Sequence, residues 1–198
     1  MTGQPAEADT AGFAGSRDRS DTILGWLEGD EATGSDHAEL ERRLEVDGRE
    51  LLRQLLQDHL DLRAHREIRL DGVVDAAGVD RGAVEAGHER TLATVFGQVT
   101  VRRLAYRRRG RPNLHPTDGT LNLPAERHSH GLRRLAAVEA ARGSYDGAVE
   151  AIGRVTGQQL GKTPGRAARR PLGGRLRRLL RHTGATAGRA WRRGRPLG

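Results

Sequence analysis

The chain has 198 residues, enough for one ordinary domain or two small ones. It contains no cysteine and only two residues each of Phe, Tyr and Trp, which excludes disulfides, a thiolate metal site and a core built on aromatic rings. No run approaches the ~20 apolar residues that span a bilayer. Met1 to Asp21 lacks the apolar centre of a signal peptide, so a cytoplasmic protein without a membrane partner is expected. The net charge of +8 is unevenly placed. Residues 1–150 hold all 26 acidic residues against 21 Arg, a net of −5, whereas residues 151–198 hold 12 Arg, Lys162 and no acid, a net of +13. The pI of about 11.2 therefore belongs to the tail, and basicity of the whole chain is no argument for nucleic-acid binding by its body.

In chain order, residues 1–35 are rich in Gly, Ala, Ser, Thr and acids and are expected to form a flexible leader. One apolar island in it, Ile23, Leu24, Trp26 and Leu27, has the size of a short docking helix. Residues 36–67 are expected to form a helical pair. Leu40 and Leu44 lie one turn apart, and Leu51, Leu52, Leu55, Leu56, Leu60 and Leu62 continue an apolar face. Asp36 with Glu39 and Asp47 with Glu50 both have capping-box spacing, and Gly48 after the second predicts a break near residue 47. Such a pair serves either as a core hairpin or as a surface for a homo-oligomer.

Residues 68–128 read as a β-hairpin and an irregular loop region. Gly72, Gly78, Gly82 and Gly87 interrupt any pattern up to residue 90. From Thr91 to Tyr106 the composition becomes strand-like, with alternation through Leu92, Thr94 and Phe96, a turn expected at or near Gly97-Gln98, and then Val99 and Val101. Leu104 and Tyr106 fall on the opposite parity, so either both faces are covered or a bulge intervenes. A basic loop, Arg107 to Arg111, precedes an extended stretch punctuated by Pro116, Gly119 and Pro124. Residues 129–162 are expected to form a helix-turn-helix-like unit. Ser129 caps a helix through Leu132, Leu135 and Val138, Gly143-Ser144 breaks it, and a second helix carries Tyr145, Val149 and Ile152 until Thr156-Gly157. The fold class expected from these elements is α+β, mainly α.

In a helix-turn-helix, a later helix enters the DNA major groove. Gln158 and Gln159 are candidates for hydrogen bonds to bases, because a side-chain amide matches an adenine edge. Arg133, Arg134, Arg142, Arg154 and Lys162, with Arg107, Arg108 and Arg109 of the basic loop, are candidates for phosphate contacts. An ordinary helical hairpin and a solvated loop account for the same patterns. His115, His128 and His130 lack the spacing of metal ligands, and Asp118, Glu126 and Glu139 show no catalytic pairing. No phosphate-binding Gly-rich loop or serine-nucleophile elbow is present.

The run Thr94-Val95-Phe96-Gly97-Gln98-Val99-Thr100-Val101 is followed by Arg103, Tyr106, Pro116-Thr117-Asp118 and Leu121-Asn122-Leu123-Pro124. Ser129-His130-Gly131-Leu132 and Ala140-Ala141-Arg142-Gly143-Ser144-Tyr145 come next. This ordered series resembles the N-terminal region of insertion-sequence transposases of the ISKra type. The resemblance covers about residues 88–162 and extends more weakly back to residues 36–67. It implies recognition of mobile-element ends in DNA, with Mg2+ or Mn2+ serving a catalytic RNase H-like domain that lies beyond the matched region. No residue here corresponds to a catalytic carboxylate, so no cofactor and no strand cleavage are expected of this chain by itself. A nucleoid-associated location follows from the same reading.

Residues 163–198 depart from the resemblance, with 11 Arg, seven Gly, three Pro and no acid. Arg outnumbers Lys 33 to 1 in the whole chain, which points to GC-rich coding DNA. Arg, Gly, Pro and Ala are what such DNA encodes out of frame. A frameshift near codon 162, giving a truncated product, is the expectation. The rival is an arginine-rich arm that binds nucleic acid, with Leu172, Leu176, Leu179 and Leu180 lining a short helix. A stand-alone DNA-binding regulator and a self-associating helical module remain the alternatives to a transposase fragment.

Overall fold

A computed structural model describes residues 11–142 and 145–156. After a 3-10 turn at Ala11–Phe13 come helices α1 (Ala14–Leu27), α2 (Asp30–Gly34) and α3 (His37–His65). Strands β1 (Ala83–Thr94) and β2 (Gly97–Arg107) follow, then helices α4 (Pro116–Thr120), α5 (His130–Arg142) and α6 (Tyr145–Thr156). The fold is α+β and mainly helical, with a two-stranded hairpin as its sheet among the described residues. None of the described helices is long and apolar enough to cross a membrane. The described residues divide into two compact units, 11–92 with 96–123, and 93–95 with 124–142 and 145–156.

Where a helical pair was expected, the first unit has one continuous helix, α3, of 29 residues. The Asp36 carboxylate caps it, accepting from the Glu39 amide at 2.8 Å. Asp47 does not cap a second helix and instead pairs with Arg43 one turn earlier at 2.9 Å. The Glu45–Arg49 pair at 2.7 Å spans Gly48, and the Glu50–Arg53 pair, also at 2.7 Å, follows it. They offset part of the roughly 1 kcal/mol that a mid-helix glycine costs.

The expected flexible leader is also corrected for residues 11–34, which form the 3-10 turn, α1 and α2. A buried carboxylate from the far end of α3 seats α1. One oxygen of Asp58 accepts from both the amide (2.9 Å) and the hydroxyl of Ser16, and the other accepts from Gln54 at 2.7 Å. Asp58 thus satisfies an amide of the first turn of α1, a role its own N-cap residue, Phe13, does not fill. At the opposite end the Arg43 guanidinium lies 4.8 Å from the Trp26 ring centre. The apolar island found in the sequence therefore belongs to a helix that runs antiparallel along α3.

The hairpin is longer than expected and turns earlier. Strand β1 begins at Ala83, not Thr91, and Val95-Phe96 form the turn, not Gly97-Gln98. Gly97 opens β2 at φ +137°, and a Cβ there would lie 2.9 Å from Cδ of Arg53 on α3. Only glycine fits that conformation and that approach. Leu92, Val99 and Val101 bury against Leu60, with Leu56, Leu121 and Leu123 around them. Each fully buried aliphatic side chain contributes about 1.5–3 kcal/mol.

The parity question resolves as two covered faces. Val99, Val101 and Ala105 keep one alternation, and Tyr106 is buried on the other. The free edge of β2 is closed largely by side chains. Gln57 of α3 donates to the Thr100 carbonyl (3.0 Å) and accepts from its amide (2.8 Å). Glu67 accepts from the Leu104 amide at 2.8 Å, and Tyr106 exchanges two backbone bonds with Leu114. An edge so covered cannot recruit a foreign strand.

Within the stretch of mixed character from residue 68, Asp75 organises a tight turn. Its side chain accepts from the Ala77 and Val79 amides, both at 2.9 Å, and from buried Arg81 at 2.6 Å. Arg81 also donates to the Pro112 carbonyl at 2.8 Å. The stretch expected to be extended contains α4, with Pro116 in its first turn. Asn122, at φ +48°, ends α4 in a Schellman arrangement, with the Leu123 amide bonded to the Asp118 carbonyl at 2.8 Å.

In the second unit Ser129 caps α5 as expected, its hydroxyl accepting from the Leu132 amide at 3.1 Å. The Ala93 amide and carbonyl bond to Arg127 and Ser129, both at 2.8 Å. Leu132, Ala136 and Ile152 form the core with Ala93, Val95 and Leu135. The expected Gly143-Ser144 break and the segment beyond Thr156 lie outside the described residues.

Candidate nucleic-acid interface

The candidate arginines are placed by three elements. Arg107 ends β2, Arg108 and Arg109 follow it in an exposed turn, and Gly110 at φ +75° closes that turn. Arg107 pairs with Glu85 across the hairpin, and both side chains are well exposed. Glu85 is held below the usual carboxylate range, first by its hydrogen bond from His88 and then by Arg107. Arg108, Arg109 and Arg111 are exposed and form no ion pair among the described residues. Arg111 was not among the candidates; its place in the same basic run was the available signal.

On α5, Arg133 is largely buried and pairs with Glu126 at 3.2 Å, so its role is structural. Arg142 pairs with Glu139 at 3.2 Å but is well exposed. Arg134 on α5 and Arg154 in the last turn of α6 are exposed, as is Arg127 just before α5. Gln158, Gln159 and Lys162 lie outside the described residues. The structure thus sorts the candidates into two groups, the 108–111 turn in the first unit and the α5–α6 surface in the second.

Other arginines of the first unit are committed to carboxylates. Arg102 contacts Asp61 and Glu89, both at 2.8 Å. Arg103, with a side chain only 9% exposed, lies 3.2 Å from Asp118, which also pairs with Arg90 at 3.8 Å. Burial pushes the Arg103 guanidinium below its usual range, while Asp118 opposes that shift. Its Nη1 is buried with no hydrogen-bond partner among the described residues. His115 is structural: its Nδ1 lies 3.0 Å from the Leu104 carbonyl oxygen, and its ring centre lies 5.5 Å from that of His88.

Among the described residues, no group of three or more His, Asp or Glu is arranged to hold a metal ion. The residues described here do not fit a two-metal centre, and no step through such a centre is assigned to them. A shallow depression lined by Ala38, Glu41, Arg42, Leu44 and Glu45 lies on the N-terminal part of α3, and none of the candidate arginines lines it. Comparison with protein-family models, curated proteins and solved structures finds no match for this chain.

Proposed function

We propose that the chain is a truncated, N-terminal part of an insertion-sequence transposase of the ISKra type. In this reading it supplies recognition of element ends and performs no strand cleavage itself. The ordered motif series from Thr94 to Tyr145 carries the reading. The α5–α6 pair supports it locally, with a Ser129 cap, an apolar core at Leu132, Ala136 and Ile152, and Arg134 and Arg154 outward. Gln158 and Gln159 would hydrogen-bond bases, and the Arg108–Arg111 turn would contact phosphates without reading sequence. Mg2+ or Mn2+ would serve the catalytic domain of the full-length enzyme. The absence of acids after Glu150 supports a change of reading frame near codon 162.

Gel-shift titration with duplexes carrying the element ends, against scrambled duplexes of equal length, tests the reading. The full chain is expected to prefer the ends. Alanine at Arg108, Arg109 and Arg111 together should weaken both duplexes alike and lower the slope of log affinity against log salt by up to about 3. Alanine at Arg133, which is largely buried against Glu126, should leave that slope unchanged. Equal binding to both duplexes, abolished when residues 163–198 are removed, would reduce the activity to attraction between arginine and phosphate and sink the proposal.

A further inference from the structure

The leucines of α3 do not all face the interior. Leu56 and Leu60 turn towards the hairpin, and Asp58 and Gln54 turn towards α1. A third face, bearing Leu44, Leu52 and Leu55, is covered by neither, and these side chains are 38%, 47% and 38% exposed. The positions 41, 45, 48, 52, 55 and 59 alternate in steps of four and three, the spacing of a helix–helix seam, and Arg63 lies one turn beyond His59 on the same face. From Glu41 to Arg63 the strip is about 33 Å of helix long.

Charge along this strip is graded. Exposed Glu41 and Glu45 occupy its N-terminal end, the leucines its middle, and exposed His59 and Arg63 its C-terminal end. Laid antiparallel on a second copy, the strip is complementary to itself. Leu52 meets Leu55 of the other copy, Gly48 lies beside His59, and the acidic end meets Arg63. Gly48 has open space around its Cα, with no atom within 4 Å of an added Cβ, which leaves room for an imidazole. The depression at Ala38, Glu41 and Leu44 lies where the long Arg63 side chain would arrive. A parallel pairing would set Glu against Glu and Arg against Arg. Glu45 is tied within its own helix only by an exposed pair to Arg49, which costs little to exchange.

We propose that the chain forms an antiparallel, two-fold homodimer through this face of α3. A two-fold contact uses one patch twice, which is what the graded strip permits. The inference is independent of the DNA-binding reading.

Sedimentation equilibrium of the full chain tests it. A dimer is expected at tens of micromolar, with the order-of-magnitude affinity of a modest helix pair. Leu52→Asp with Leu55→Asp should weaken it at least about tenfold while far-UV circular dichroism stays unchanged. Glu45→Arg alone and Arg63→Glu alone should each weaken it, and the two together should restore it. A strict monomer up to roughly 100 μM overturns the proposal. So does a dimer indifferent to the aspartates, or a double charge reversal that fails to recover.

Discussion

In the unit built on α3 and the hairpin, polar side chains make many of the joints. Gln57 and Glu67 complete the edge of β2, Asp58 caps α1, and Arg81 ties the Asp75 turn to Pro112. In the unit of α5 and α6 the joint is apolar, centred on Leu132, Ala136 and Ile152. The difference bears on how arginine is used. In the first unit Arg102, Arg103 and Arg107 are each paired with carboxylates distant along the chain, while Arg108, Arg109 and Arg111 beside them are exposed. In the second unit Arg133 and Arg142 are paired with Glu126 and Glu139, while Arg134 and Arg154 are exposed and unpaired among the described residues.

The largest effect that probes this contrast is expected at Leu132, whose side chain is 1% exposed. Leu132→Ala should cost about 2–4 kcal/mol in chemical denaturation, combining lost burial with the cavity left behind. Amide protection in α5 and α6 should fall with it. Leu52→Ala, on the open face of α3, should change monomer stability by less than about 0.5 kcal/mol. A cost below about 1 kcal/mol at Leu132 would mean that the two helices lack a fixed core, and the helix-turn-helix reading would lose its frame.

A smaller effect tests the polar joints. Gln57→Leu removes two bonds and leaves the amide and carbonyl of Thr100 without that partner at a covered edge. The expected cost is about 1–3 kcal/mol, with faster hydrogen exchange at the Thr100 amide. Gln57→Glu keeps the acceptor for the amide and loses the donor to the carbonyl, so it should fall between the wild type and leucine. If leucine is as stable as glutamine, solvent already reaches that edge and the contrast between the units narrows.

What the sequence made legible divides along the same line. The Ser129 cap, the Asp36 cap, the apolar alternation of β2 and the mainly helical α+β class follow from local patterns. The leader did not, because α1 is seated by Asp58, 42 residues away, through a polar contact that leaves no periodic mark. The expected break at Asp47 failed because a capping box and an intrahelical Arg43–Asp47 pair draw on the same residues. The turn at Val95-Phe96 was obscured by apolar residues that ordinarily mark strands, while Gly97 was needed for its approach to Arg53, not for the turn. For the candidate interface, local charge identified the Arg107–Arg111 run but not its partner. Glu85, which pairs with Arg107, lies 22 positions earlier.

The smallest expected effect concerns acid. Glu50 is held below the usual carboxylate range chiefly by its hydrogen bond from Arg53, with Arg19 adding charge attraction. Asp75 is likewise lowered, first by the Val79 amide and then by Arg81. A carboxylate whose pKa is lower folded than unfolded stabilises the fold above its unfolded value, about 4 for Asp and Glu, and that contribution is lost as pH falls towards the folded value. Stability should therefore be level from about pH 7 to 5 with respect to these groups and decline below about 4.5. The two sites lie at different joints, the α1–α3 contact and the Asp75 turn. Glu50→Gln should flatten the decline slightly, because Glu50 is 36% exposed and solvent screens its pair. Asp75→Asn should flatten it too and also loosen the turn, since the amide side chain loses the charged bond to Arg81. Denaturant titrations at several pH values between 3 and 6 measure both slopes. Equal slopes in wild type and Asp75→Asn would show that the bonds from the Val79 and Ala77 amides and from Arg81 do not together hold the Asp75 carboxylate in solution.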